Sequence, residues 1–150
     1  MGGSTTSPYV ESEREPRAEI RRYHTLVMLW SADEDERVGE DAPLEGAGPW
    51  IIARDDPPSR STPFQYQRGG VSVVTGGLTG KNVSRKLLTL DVTDMLEIRG
   101  IGGTVPVTVN REPAQIGMKL RAGDLIEIHK RYLLLVAERT SPFVRVDKYP

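Results

Sequence analysis

Cysteine is absent from this 150-residue chain, and histidine occurs only twice, as His24 and His129. The first absence excludes a disulfide framework, a thiolate zinc site and a cysteine nucleophile. The two histidines sit at strand ends without metal-ligand spacing and read as ordinary strand-end residues. No Gly-x-Ser-x-Gly elbow occurs, and no nucleophile with a partnered base can be assembled, so no catalytic residue, metal or cofactor is expected. No apolar run approaches the roughly 20 residues needed to span a bilayer. Charge is balanced, with a formal net charge of −1, so nothing draws the chain toward nucleic acid or a membrane surface. The polar start Met1-Gly2-Gly3-Ser4-Thr5-Thr6 lacks the basic and apolar regions of a signal peptide, and a cytoplasmic setting fits.

What the chain does have is turn chemistry. Its 15 glycines and 11 prolines disfavour long helices and favour a turn-rich β architecture. Residues 1–22 are polar and mixed in charge; a short helix over Glu11–Arg22 would have almost no apolar face, so this segment reads as a flexible arm. Thr25–Trp30 is a short apolar run suited to a buried strand. Residues 31–45 then carry seven acids and one base, Arg37, and read as a solvated loop. Trp50–Ala53 is a second strand, 55–70 a loop, Val71–Val74 a short strand, and 75–83 a glycine-rich loop. Beyond it the alternation is clean. Leu88, Leu90 and Val92 share one face, as do Leu96 and Ile98, then Val105, Val107 and Val109. Asn110–Pro113 and Gly123-Asp124 are turns. Leu125–His129 and Tyr132–Ala137 form a closing hairpin about Lys130-Arg131. Short strands at this spacing predict an all-β sandwich or barrel over 23–140, with 141–150 as a tail or linker.

Two glycine-rich stretches fail as nucleotide motifs. Gly76–Asn82 lacks the opening glycine and the magnesium-binding hydroxyl of a phosphate loop, and no βαβ unit surrounds it. Gly100-Ile101-Gly102-Gly103 leads into a strand where a dinucleotide fingerprint needs a helix. There remains a set of phosphate-capable groups on loops. Arg54 ends one strand; Lys81, Asn82, Ser84, Arg85 and Lys86 precede another; Thr104 lies among glycines in a third loop. A phosphate is held by arginine forks, a hydroxyl and backbone N–H donors. Taken by composition alone, Arg85 and Lys86 read as plain surface bases.

The order of these pieces resembles the forkhead-associated (FHA) domain family. The matching stretches are Ile51-Ile52-Ala53-Arg54, Val83-Ser84-Arg85, Leu96-Glu97-Ile98, Val107–Asn110 and Leu120–Ile128, the last being the most specific. The resemblance implies an FHA-like (SMAD/FHA) two-sheet antiparallel β-sandwich of about eleven strands, not an enzyme, that binds phosphothreonine peptides through loops at one end. It implies roles in phosphopeptide binding for Arg54, Ser84, Arg85 and Thr104, with Lys81 and Asn82 beside them. Three positions depart from the family pattern. Ala53 replaces a glycine, Leu87 the histidine that braces the serine loop, and Val105 the asparagine that grips the peptide backbone.

A narrower resemblance joins Thr25–Ser31, Asp35–Glu40 and Ser84–Leu88 to the N-terminal FHA domains of sigma-54-dependent (Fis family) transcriptional activators of myxobacteria. It implies a phosphorylated protein as partner and an AAA+ ATPase domain in the same parent chain, the tail leading toward it. The three departures equally fit a phospho-independent interaction or dimerisation module.

Overall fold

The computed structural model describes residues 17–145. The chain divides into two compact units, Tyr23–Glu138 and a second built from the segments on either side. Of the expected arm, residues 1–16 lie outside the described residues. Arg17–Arg22 is neither helix nor loop but belongs to the first strand. Of the expected tail, 146–150 lie outside, and 141–145 belong to the last strand.

Twelve strands occur among the described residues: β1 (Arg17–Ser31), β2 (Asp41–Leu44), β3 (Trp50–Ile52), β4 (Phe64–Arg68), β5 (Val71–Gly76), β6 (Leu88–Val92), β7 (Leu96–Ile101), β8 (Val107–Val109), β9 (Glu112–Pro113), β10 (Lys119–Leu120), β11 (Leu125–Ile128) and β12 (Tyr132–Arg145). They form two antiparallel sheets. One has the order β9-β8-β11-β12-β1-β2-β4-β5, the other β10-β7-β6-β3. Single 3-10 turns occupy Asp35–Arg37 and Pro57–Ser59.

Alternation places the core where the sequence pattern put it. Leu26, Met28, Ile126, Ile128, Leu134 and Val136 of the large sheet meet Ile52, Leu88, Leu90, Leu96 and Ile98 of the small one, all buried. Each such side chain contributes about 1.5–3 kcal/mol relative to exposure. Val92, at the end of its strand, is exposed rather than buried.

Strands β2, β4 and β9 were not anticipated, β9 falling inside the expected Asn110–Pro113 turn. β2 lies inside the acidic run, and β4 inside the expected 55–70 loop. Asp41 is buried because it accepts a 2.6 Å hydrogen bond from the buried Thr25 hydroxyl across β1 and β2. β4 pairs with β5 around Gly69-Gly70, both at positive φ, the turn a two-residue hairpin requires.

The Leu120–Ile128 stretch is a structural brace. Gly123 takes φ +99° in the turn, where Asp124 accepts the Arg121 N–H at 2.8 Å. Asn110 then cross-links that turn to the β8–β9 hairpin. It donates to Asp124 at 3.0 Å and accepts the Leu125 N–H at 2.9 Å.

Candidate functional site

The loops that follow β3, β5 and β7 come together at one place within the Tyr23–Glu138 unit. Backbone bonds tie the first two. The Arg54 N–H donates to the Ser84 carbonyl at 3.0 Å, the Asp55 N–H to the Leu78 carbonyl at 2.7 Å, and the Leu78 N–H to the Ala53 carbonyl at 3.0 Å. The third loop is seated against Ser84–Leu87. The Gly102 N–H donates to the Leu87 carbonyl at 3.1 Å. A Cβ on Gly102 would stand 2.1 Å from the Lys86 carbonyl oxygen, and one on Gly103 2.7 Å from Ser84 Cβ. Glycine is needed here because the two loops approach closer than any side chain allows.

At this junction Arg54 and Arg85, 31 positions apart in sequence, share one carboxylate oxygen. Asp56 Oδ2 accepts from Arg54 Nη2 at 2.9 Å and from Arg85 Nε at 3.1 Å. The side chains of Arg54 and Arg85 remain 42% and 58% exposed, whereas that of Asp56 is 17% exposed. Both guanidinium groups therefore keep donors turned to solvent. Ser84 Oγ accepts the Lys86 N–H at 3.1 Å, which leaves its hydroxyl hydrogen available to an incoming acceptor. Thr104 is exposed one residue beyond Gly103.

Lys81 and Asn82 are exposed in the same loop as Ser84 but have a different neighbour. The Lys81 N–H points at Asp33 Oδ2, 3.4 Å away, and Asp33 also pairs with Arg131 at 3.2 Å. Asn82 sits at φ +63°, a conformation asparagine tolerates better than most residues. Among the described residues no hydrogen bond or ion pair joins either side chain to the Arg54–Asp56–Arg85 group. The three departures from the family pattern are turned inward. Ala53 and Leu87 are fully buried, and Val105 packs against the core. Leu87 thus fills core volume, and its carbonyl accepts the Gly102 N–H that ties the third loop to the Ser84 loop.

The 77–84 loop and the end of β5 are anchored from below by a buried ion cluster, which overturns the reading of the acidic run as a solvated loop. Asp33, Asp35 and Glu36 are exposed, but Glu34, Arg37 and Glu40 are buried. The 3-10 turn Asp35–Arg37 brings its N-cap Glu34 and Arg37 to one side, and Glu40 returns to Arg37 through Gly39 at φ +98°. Arg37 uses all five of its N–H donors: Nε to Glu40, Nη1 to Glu34 and the Gly77 carbonyl, Nη2 to Thr75 Oγ1 and the Gly76 carbonyl. Glu34 also accepts from the Thr79 backbone N–H at 3.0 Å, from the Thr79 hydroxyl and from the buried Tyr132 hydroxyl. Tyr132 in turn accepts the Gly80 N–H at 2.7 Å. Burial by itself would push the Glu34 carboxyl up, but the bonds from Thr79, Tyr132 and Arg37 outweigh it and hold it at about 2. Burial and the bond to Glu34 push the Tyr132 phenol well above its ordinary range. Sequence reasoning missed this cluster. Its visible signal was the i, i+3 repeat Glu34, Arg37, Glu40.

Among the described residues no group of three or more His, Cys, Asp or Glu side chains is arranged to hold a metal ion, and no helix is long and apolar enough to cross a membrane.

Comparison with known proteins identifies the fold. No family model and no curated protein sequence matches the chain. Solved FHA domains do match in structure. The Rv0020c FHA domain superposes with a TM-score of 0.54 at 21% identity, over 79% of this chain and 95% of that one. An FHA domain solved in work on phosphothreonine-dependent FHA domain interactions gives 0.52 at 22% identity, over 77% and 95%. The FHA domain of CT664 from Chlamydia trachomatis gives 0.53 at 17% identity, over 77% and 96%. The chain therefore has the FHA β-sandwich fold.

Proposed function

We propose that this domain is a signalling module, not an enzyme, that docks a phosphorylated threonine segment of a partner protein through Arg54, Ser84 and Arg85, with Thr104 facing the bound peptide. The observation that carries the reading is the convergence of Arg54 and Arg85 on a single anionic oxygen, with Ser84 next to Arg85 in the chain and its carbonyl bonded to the Arg54 N–H. Two arginine forks and a hydroxyl on a rigid scaffold are the groups a phosphate dianion selects, each charge-assisted bond being worth about 1.5–3 kcal/mol. The phosphothreonine-dependent interactions studied with one structural neighbour agree with it. Lys81 and Asn82 take a peripheral part, Lys81 adding positive charge and Asn82 a neutral amide along the approach to the loop.

A phosphothreonine peptide library tests this directly. A binder is expected, with affinity lost in Arg54→Ala combined with Ser84→Ala. Equal binding of the unphosphorylated peptides refutes it.

The placement of the domain as the N-terminal input of a sigma-54-dependent activator, relaying to an AAA+ ATPase in the same parent chain, is a proposal that rests on the sequence resemblance. Its test is whether a phosphopeptide that binds the domain alters ATP hydrolysis by the parent protein.

A second reading is favoured by a separate observation. Trp30, Leu125 and Leu133 line an open groove bordered by Arg111 and Glu127, and Trp30 and Leu125 are exposed. A phospho-independent partner or a second copy of the chain would use this groove. Light scattering, together with binding that survives loss of Arg54 and Arg85, distinguishes this reading from the first.

A further inference from the structure

We propose that Asp56 is an internal anion standing in for phosphate between Arg54 and Arg85, so that a ligand enters only by displacing it. This rests on the phosphate reading of the site. The geometry is specific. A single oxygen, Asp56 Oδ2, takes the Arg54 and Arg85 donors at 2.9 and 3.1 Å. Sharing one oxygen leaves most of the ten N–H donors of the two guanidinium groups outside the contact. The carboxylate neutralises the pair in part but satisfies little of its hydrogen-bonding capacity. A phosphate dianion carries more charge and three acceptor oxygens, enough to engage both forks at once.

The carboxylate is presented by a stiff backbone. Asp56 precedes Pro57, which restricts it to extended geometry, and it adopts φ −155° and ψ 125°. Its carbonyl accepts the Ser59 N–H at 2.8 Å and the Ser59 hydroxyl at 2.7 Å. The same hydroxyl reaches the Arg54 carbonyl at 2.5 Å, and Ser59 is buried. Displacement is therefore a side-chain rotation, with the loop itself staying in place.

The consequence is selectivity. A glutamate or aspartate from a partner would exchange one carboxylate for another and gain little. A phosphate gains charge and hydrogen bonds in the exchange. Asp56 thus raises the threshold for every anion and rejects singly charged ones, making it a specificity-determining residue of the site.

The test uses the 150-residue chain as wild type, Asp56→Asn and Asp55→Asn, titrated with O-phospho-L-threonine and with glutamate while the arginine side-chain N–H signals are followed by NMR. Asp55 serves as the control because it neighbours the site in sequence yet forms no ion pair among the described residues. Asp56→Asn is expected to bind phosphothreonine about tenfold more tightly and to gain detectable glutamate binding, since removing a unit charge in contact with the site is worth at least that at an effective dielectric near 20. Asp55→Asn is expected to match wild type. Unchanged or weaker phosphothreonine binding in Asp56→Asn, with wild type still binding, overturns the proposal and leaves the phosphate reading intact; Asp56 would then orient the arginines. Equal tightening in both variants also overturns it, as a general charge effect. Absence of binding in all three proteins removes the phosphate reading and this inference together. Unaltered thermal melting of both variants establishes that the fold is retained.

Discussion

Replacing Arg37 with methionine removes the centre of the buried cluster while keeping an unbranched chain of similar length. The variant strands two buried carboxylates, Glu34 and Glu40, along with the carbonyls of Gly76 and Gly77. Removing one partner of a buried ion pair costs about 3–5 kcal/mol, because the remaining charge stays in a poorly solvated place. A domain of this size has about 5–15 kcal/mol in total, so the loss is a large share of it. With a urea slope of about 1–3 kcal/mol/M, the unfolding midpoint at pH 7 should fall by about 1 M or more. The pH dependence separates electrostatics from packing. In the wild type Glu34 is held at about 2, against an ordinary 4.5. A depressed carboxyl stabilises the fold above its unfolded value and loses that contribution as pH falls from about 4.5 toward 2. The difference amounts to about 3 kcal/mol by linkage. In the variant, burial remains and the Arg37 bond does not, so Glu34 moves up and its contribution is already diminished at neutral pH. The gap between the two proteins should therefore be widest near pH 7 and narrow by pH 3. Urea unfolding followed by tryptophan fluorescence at pH 7, 5 and 3 measures it. A difference below 1 kcal/mol at pH 7, or one constant across the series, would refute the reasoning.

The remaining predictions concern the loop junction. Gly102→Ala drives a Cβ to 2.1 Å from the Lys86 carbonyl oxygen, so the loops carrying Ser84 and Thr104 must separate. Binding of a phosphothreonine peptide should weaken at least about tenfold, read by calorimetry, while the small sheet keeps its amide exchange protection. Leu87→His restores the residue the family pattern has at that place but puts an imidazole into a fully buried apolar position. It should destabilise the fold by about 1–3 kcal/mol without improving peptide affinity, and a gain in affinity would show that Leu87 is not locked in the core.

The strands legible in the sequence are those whose inward residues alternate without interruption. Leu88 and Leu90, Leu96 and Ile98, Val107 and Val109, and Ile126 and Ile128 all face the core as their spacing requires. β2 and β4 escaped detection for a physical reason. β2 has a buried aspartate at its start, Asp41, made tolerable only by Thr25 on the neighbouring strand. β4 has a single fully buried apolar side chain, Phe64, and otherwise partly or fully exposed ones. Each offers only two apolar residues at the two-residue period, Ala42 and Leu44 in β2 and Phe64 and Tyr66 in β4, too short a run to stand out from the polar residues around them.

Of the candidate site, the residue types were legible and their grouping was not. The polarity of the chain marked Arg54, Lys81, Asn82, Ser84, Arg85 and Thr104 as phosphate-capable. Only the folded chain brings Arg54, Ser84, Arg85 and the Gly102–Thr104 loop together, while the Lys81 backbone N–H points at Asp33. Asp56 carried no signal in a loop rich in polar residues, yet it is the group on which both arginines close.

Periodicity and turn residues alone determined that this chain is all-β, because inward and outward positions on a strand are set by neighbours two residues away. The fate of its charges was decided by tertiary structure. Glu34 looked like one acid among seven until Tyr132, 98 positions later, and Thr79, 45 positions later, arrived to bond it. Arg37 looked like the one base of a solvated run until Gly76 and Gly77 supplied carbonyls from about 40 positions away. Whether a charged side chain is solvated, buried or poised for a ligand depends on partners that only the closed sandwich brings within 3 Å.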